Sequence, residues 1–115
     1  MWRTIVIAGA LALSAGCMSA APPTRARTET TAAIRAAREV DAMSTPRAAY
    51  HLELAEEQLT RAEALIRAGR MAEAEGMLLR AQSDAELAIF LTREAALEAE
   101  AEELEMRITA MRERM

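Results

Sequence analysis

The sequence predicts an all-α protein: a short apolar leader followed by a long, coiled-coil-like antiparallel helical hairpin, its first helix kinked at Ser44–Pro46. Three observations carry this. The chain is alanine-rich, with 28% charged and only 3% aromatic residues. Such a composition cannot build a thick globular core and suits long, thin, closely packed helices. From Ala48 onward apolar residues alternate at spacings of four and three, the seam of a coiled coil. Between two such seams stands Gly69, and glycine ends helices cheaply because it accepts left-handed backbone.

The leader comes first. Met1 to Arg3 supply a positive charge, and Ile5 to Leu13 supply an apolar stretch. A spanning helix needs about 20 apolar residues, so this stretch is short for a membrane span but right for a signal-peptide core. It runs out through Leu13, Ser14, Ala15 and Gly16 to Cys17, the only cysteine in the chain. That ending resembles a bacterial lipoprotein signal, where small residues precede a cysteine whose thiol receives diacylglycerol before the leader is removed. The preferred leucine sits one place early, at Leu13, with Ser14 in its usual slot. The resemblance implies a signal peptide over 1–16 and a lipidated Cys17. Residues 17–24 are then the lipidated cysteine and a tether reaching about 25 Å when extended. Two or three acyl chains hold a protein on a bilayer where one does not. Met18 replaces the aspartate that favours inner-membrane retention in enteric bacteria, which points to the periplasmic face of the outer membrane.

Three helices follow, over about 25–43, 46–68 and 71–112, in one domain spanning 25–115. In the first, Ala26, Ala33, Ala37 and Val40 fall roughly on one face. Ser44, Thr45 and Pro46 interrupt it, with Thr45 suited to an N-cap and Pro46 to the first helical position. The second carries Ala48, Leu52, Ala55, Leu59, Ala62 and Ile66 on its seam, with Glu57–Arg61 and Glu63–Arg67 as solvated i, i+4 pairs. The third opens on Met71, Ala74, Leu78, Ala81, Ala85 and Ala88, continued by Thr92 and Ala95. A second seam then takes over: Leu97, Ala101, Leu104, Ile108, Met111 and Met115.

Folding about Gly69–Arg70 sets Leu59 opposite Ala81, Ala62 opposite Leu78, Leu52 opposite Ala88 and Ile66 opposite Ala74. Large meets small each time, which lets two helices approach and interdigitate. Extending the mirror past Pro46 places Arg35 and Arg38 beside Glu100 to Glu105, and Val40 near Ala99. The first helix is therefore expected to run on from the second along the distal half of the third. A lipid-anchored chain of that shape stands upright, with the Gly69 turn as its far tip and Arg25, Arg27, Arg112 and Arg114 gathered at the lipid end. The competing arrangement folds the first helix back beside the turn, as a three-helix bundle.

Little here carries chemistry. The net charge is −4, every basic residue is arginine, and the arginines alternate with acids instead of clustering, which argues against nucleic-acid binding. His51 is the sole histidine and has no second ligand nearby, so a surface histidine is expected and no metal site. Glu94, Glu98, Glu100, Glu102, Glu103 and Glu105 read as a solvated acidic face, lacking the looped oxygen cage that calcium favours. Met106, Met111 and Met115 read as packing residues. No glycine-rich phosphate loop and no nucleophile with a base is found, so no catalytic residue, cofactor or small-molecule substrate is expected.

The lipoprotein-type ending, the Pro-Pro tether, the stretch TPRAAYHLELAEEQLTRAEALIRAGR and the phrase AQSDAELA together resemble domain-of-unknown-function family 4398, of bacterial envelope lipoproteins. The resemblance covers about Ala21 to Ala95. Some relatives carry an OmpA-like peptidoglycan-binding domain after the helices; the sequence to Met115 contains none, so the resemblance does not extend to direct peptidoglycan binding. The turn LIRAGRMAEAE also resembles a single tetratricopeptide-like hairpin, but stacking needs about three repeats. The family implies no activity. The expectation is a lipid-anchored periplasmic helical hairpin, a structural or adaptor module of the envelope working through protein partners or self-association. The alternative is a regulatory lipoprotein that activates or positions an envelope enzyme, with the hairpin tip as contact.

Overall fold

The computed structural model describes residues 20–115; Leu13, Ser14, Ala15, Gly16 and Cys17 lie outside them. The described chain is an elongated all-α rod 71 Å long. Its helices are α1 (Thr24–Glu39), α2 (Pro46–Arg67) and α3 (Met71–Glu113), with a 3-10 turn over Ala42–Ser44 between the first two.

The antiparallel α2–α3 hairpin is built as the seam predicts. Gly69 sits at φ +75°, the left-handed region where a side chain is strained. Its N–H donates to Ile66 O at 3.0 Å, and the Arg70 N–H reaches Leu65 O at 2.9 Å. Those two bonds form a Schellman motif and satisfy carbonyls that the end of α2 leaves free. Ala48, Ala55, Ala62, Ala74, Ala81, Ala85 and Ala88 are fully buried, so the backbones approach closely along the seam. Leu52 and Leu78 fill the space between them. Ala62 shares one apolar cluster with Leu78, and Leu52 shares another with Ala88, in the register of the mirror. Leu59 is only half-buried and bridges the two clusters.

The expected course of α1 is overturned. The helix does not run on from α2 but folds back, antiparallel to α2 and alongside the proximal half of α3. Arg27 pairs with Glu63 at 2.5 Å, and Arg38 pairs with Glu56 at 2.6 Å. Thr30 hydrogen-bonds Leu78 O at 2.9 Å. Arg38 thus meets an acid of α2 instead of Glu100 to Glu105. The competing three-helix arrangement is the one the chain adopts, and α2–α3 remains its spine.

The reversal has a local cause. α1 ends at Glu39, four residues before the expected boundary, and Asp41 takes the left-handed conformation at φ 59° and ψ 47°. Aspartate tolerates this region better than most residues because its short polar side chain bonds locally. Ser44 Oγ donates to Asp41 O at 2.8 Å, and Ala42 turns fully inward. Pro46 then pushes Thr45 into extended backbone, at φ −110° and ψ 114°, and opens α2 at its first position. Thr45 holds the N-cap position, yet its hydroxyl makes no capping bond.

The buried face of α1 also differs from the expected one. It comprises Ala26, Thr30, Ile34 and Ala37, while Ala33 and Val40 are half-buried. Fully buried Thr30 is satisfied by its own helix and by α3: its hydroxyl lies 2.8 Å from Ala26 O and 2.9 Å from Leu78 O, and donates its one proton between them.

Candidate interaction surface

Once α1 folds back, the bundle stops near Leu91 and α3 continues alone. Every residue from Ala96 to Met115 is exposed. Leu97 is 66% exposed, Leu104 48%, Ile108 44% and Met111 58%, a row of large apolar side chains left uncovered among the described residues. Met106 and Met115 are exposed as well, so these methionines are not core residues of the bundle. In proteins most helical stability comes from packing of an amphipathic face, and this stretch has no such packing among the described residues.

The direction of this row matters. At about 100° per residue, it points roughly 160° away from the buried row Ala74, Leu78, Ala81, Ala85, Ala88 and Leu91. The two seams therefore lie on nearly opposite faces of α3. Phe90, 63% exposed, carries the outer seam back onto the bundle surface. Contiguous exposed apolar surface of this kind marks interaction sites.

Charge is divided along the same stretch. Glu94, Glu98, Glu100, Glu102, Glu103 and Glu105 occupy its first half, and Arg107, Arg112 and Arg114 dominate its second, where Glu113 is the one acid. The four arginines expected at one end are split between two. Arg27 sits beside Glu63 near the turn, whereas Arg112 stands about 50 Å further along α3, counted from Leu78.

His51 is only half-exposed and is held across a helix interface. Its side chain is 26% exposed and its Nδ1 lies 2.9 Å from Asp84 Oδ1, across the α2–α3 interface. Gln58 donates to the other carboxylate oxygen of Asp84 at 2.9 Å. Tyr50 sets its ring edge-to-face with His51, centroids 5.2 Å apart. One acid of α3 thus grips two side chains spaced two turns apart on α2, and these bonds fix the register of the pair. The signal for this lock was present in the mirror, which brings residues near 55 and 85 together, but a lone histidine gave no reason to look for an acid there.

Among the described residues no group of three or more His, Cys, Asp or Glu is placed to hold a metal ion. No described helix is long and apolar enough to cross a membrane. The concavities between helices are open troughs, such as the one between α1 and α2 lined by Arg27, Arg35, Leu59 and Glu63. At the turn, the Arg70 guanidinium bonds the Glu73 carboxylate and holds it below the usual carboxylate range.

The fold and this surface define an elongated three-helix protein with a single-helix extension that bears an unpaired apolar seam. No family model matches the chain, and no curated protein or solved structure does so at a significant level.

Proposed function

We propose that this chain is a lipid-anchored periplasmic module of the bacterial envelope that acts structurally, as an adaptor, through protein contacts made by the free half of α3. One observation supports the reading: the row Leu97, Leu104, Ile108 and Met111 is exposed and stands clear of the folded body. The residues Leu13 to Gly16 ahead of Cys17 support the anchor, and the resemblance to envelope lipoproteins supports the compartment.

The fold-back reverses the expected orientation. α1 begins beside Glu63 and Leu78, close to the Gly69 end of the hairpin. With Cys17 in the outer membrane and a tether of about 25 Å, the Gly69 turn lies near the lipid and the α3 extension projects from it. The turn is then poorly placed as the contact of a regulatory lipoprotein, and the extension is the surface left free.

Two measurements test this. Mass spectrometry of the mature N-terminus is expected to find acylated Cys17, and Cys17→Ser is expected to release the protein from membranes; an unmodified cysteine in membrane-bound protein overturns the anchor. Photo-crosslinkers placed in cells at Leu104 and at Leu79 are expected to capture protein only from Leu104. Equal capture from both positions overturns the role of the extension.

A further inference from the structure

We infer that the α3 extension is a self-association element, in which two copies of this chain pair their outer seams as an antiparallel coiled coil. This deepens the adaptor reading by naming the partner as a second copy.

The seam spacing assigns Ala101, Ile108 and Met115 to heptad position a, and Leu97, Leu104 and Met111 to position d. A coiled coil of two such helices runs parallel or antiparallel, and the side chains distinguish the two. In parallel register each residue meets its own copy, so Ala101 faces Ala101 and leaves that layer underfilled. In the antiparallel register that sets Leu104 opposite Ile108, Ala101 faces Met111 and Leu97 faces Met115. Small then meets large, as a well-filled seam requires.

Charge decides more firmly. Glu98, Glu105 and Arg112 fall at position e; Glu100, Arg107 and Arg114 fall at position g. Parallel pairing sets Glu100 against Glu105 and Arg107 against Arg112, and each clash occurs twice by symmetry. Antiparallel pairing sets Glu98 against Arg112 and Glu100 against Arg114, and each attraction occurs twice. Like charges meet there only at the two-fold axis, Arg107 with Arg107 and Glu105 with Glu105. Positions e and g set partner choice and orientation in coiled coils, so the acid-first, base-last order of these e and g residues specifies an antiparallel second copy. Residues 97–115 of each copy then cover one another over about 28 Å.

The test uses the full chain carrying Cys17→Ser, so that the outcome is independent of lipidation and only engineered thiols remain. Sedimentation in mild detergent is expected to give a dimer. Leu97→Cys combined with Met115→Cys is expected to form interchain disulfides, while Leu97→Cys alone is expected to form none. Cross-linking by the single variant means a parallel pair and overturns the antiparallel assignment. Glu98→Arg with Glu100→Arg, and separately Arg112→Glu with Arg114→Glu, are each expected to weaken dimerisation roughly tenfold or more, since exposed pairs act weakly but four reverse sign at once. These exposed positions leave the bundle intact, which circular dichroism checks. Mixing the two variants restores every attraction and is expected to restore the dimer. A monomer throughout, or failure of the mixture to recover, assigns the seam to a different partner and overturns self-association while leaving the membrane anchor untouched.

Discussion

The hydroxyl of Thr30 in α1 lies 2.9 Å from the main-chain carbonyl oxygen of Leu78 in α3, and both residues are fully buried. This bond joins helices 48 residues apart in sequence and marks where the fold-back docks. The Leu78 carbonyl belongs to a continuing helix, so removing the hydroxyl strands no buried acceptor. Thr30→Val is therefore expected to lower stability by only about 0.5–1.5 kcal/mol. Thr30→Arg is expected to expel α1 while α2–α3 stays paired. Hydrogen exchange reads the difference as lost protection over 24–39 with protection kept at Leu52.

Leu78 and Leu104 are the same residue type on the same helix with opposite surroundings. Leu78→Ala opens a cavity in the bundle and is expected to cost about 2–5 kcal/mol. Leu104, 48% exposed, is expected to change the stability of the isolated chain by no more than about 0.5 kcal/mol on the same substitution. Chemical denaturation at a dilution where sedimentation shows only monomer compares the two.

The two glycines of the described chain should answer alanine with opposite signs. Gly69 has space around it but a φ of +75°, so Gly69→Ala is expected to destabilise by about 1–2 kcal/mol. Gly76 is exposed inside α3 with nothing within 4 Å of an added Cβ. Gly76→Ala is expected to stabilise by about 0.5–1 kcal/mol. Thermal melts followed by circular dichroism settle both signs.

Asp41 holds the reversal between α1 and α2 at a φ of 59°. Asp41→Asn is expected to be tolerated, and Asp41→Val to cost about 1–2 kcal/mol because a β-branched residue resists that region. Spin labels at the exposed Thr28 and Glu75 are expected to lie close together, with labels at Thr28 and Arg112 about 50 Å apart. A short distance for the second pair restores the in-line course of α1.

The hairpin was readable because Gly69 fixes one point of reflection and the seam on each side alternates leucine with alanine. Those two facts leave a single register, and Leu52 with Ala88 and Ala62 with Leu78 obey it. The place of α1 was not readable in the same way. Alanines lie on several of its faces, and the face that docks contains a threonine, which an apolar pattern passes over. Its arginines find acids wherever the helix is laid, and exposed ion pairs of about 0–1 kcal/mol cannot select a register. The break at Ser44–Pro46 was visible; its depth was not, because it turns on one left-handed residue, Asp41. The outer seam of α3 was legible as residues but not as surface, since its exposure follows from where α1 goes.

The fold-back also determines how the molecule bears a load. If a lipid holds Cys17 and a partner holds the tip of α3, tension enters at Thr24 and leaves at Met115, along the helix axes. α1 is then pulled lengthwise past α3, and the contacts at Ala26, Thr30, Ile34 and Ala37 are strained together instead of one after another. Had α1 continued in line from α2, the same tension would have peeled the hairpin open from one end. Resistance to pulling is set by how slowly the loaded contacts let go, and a bundle loaded in shear releases only when the whole of α1 slips.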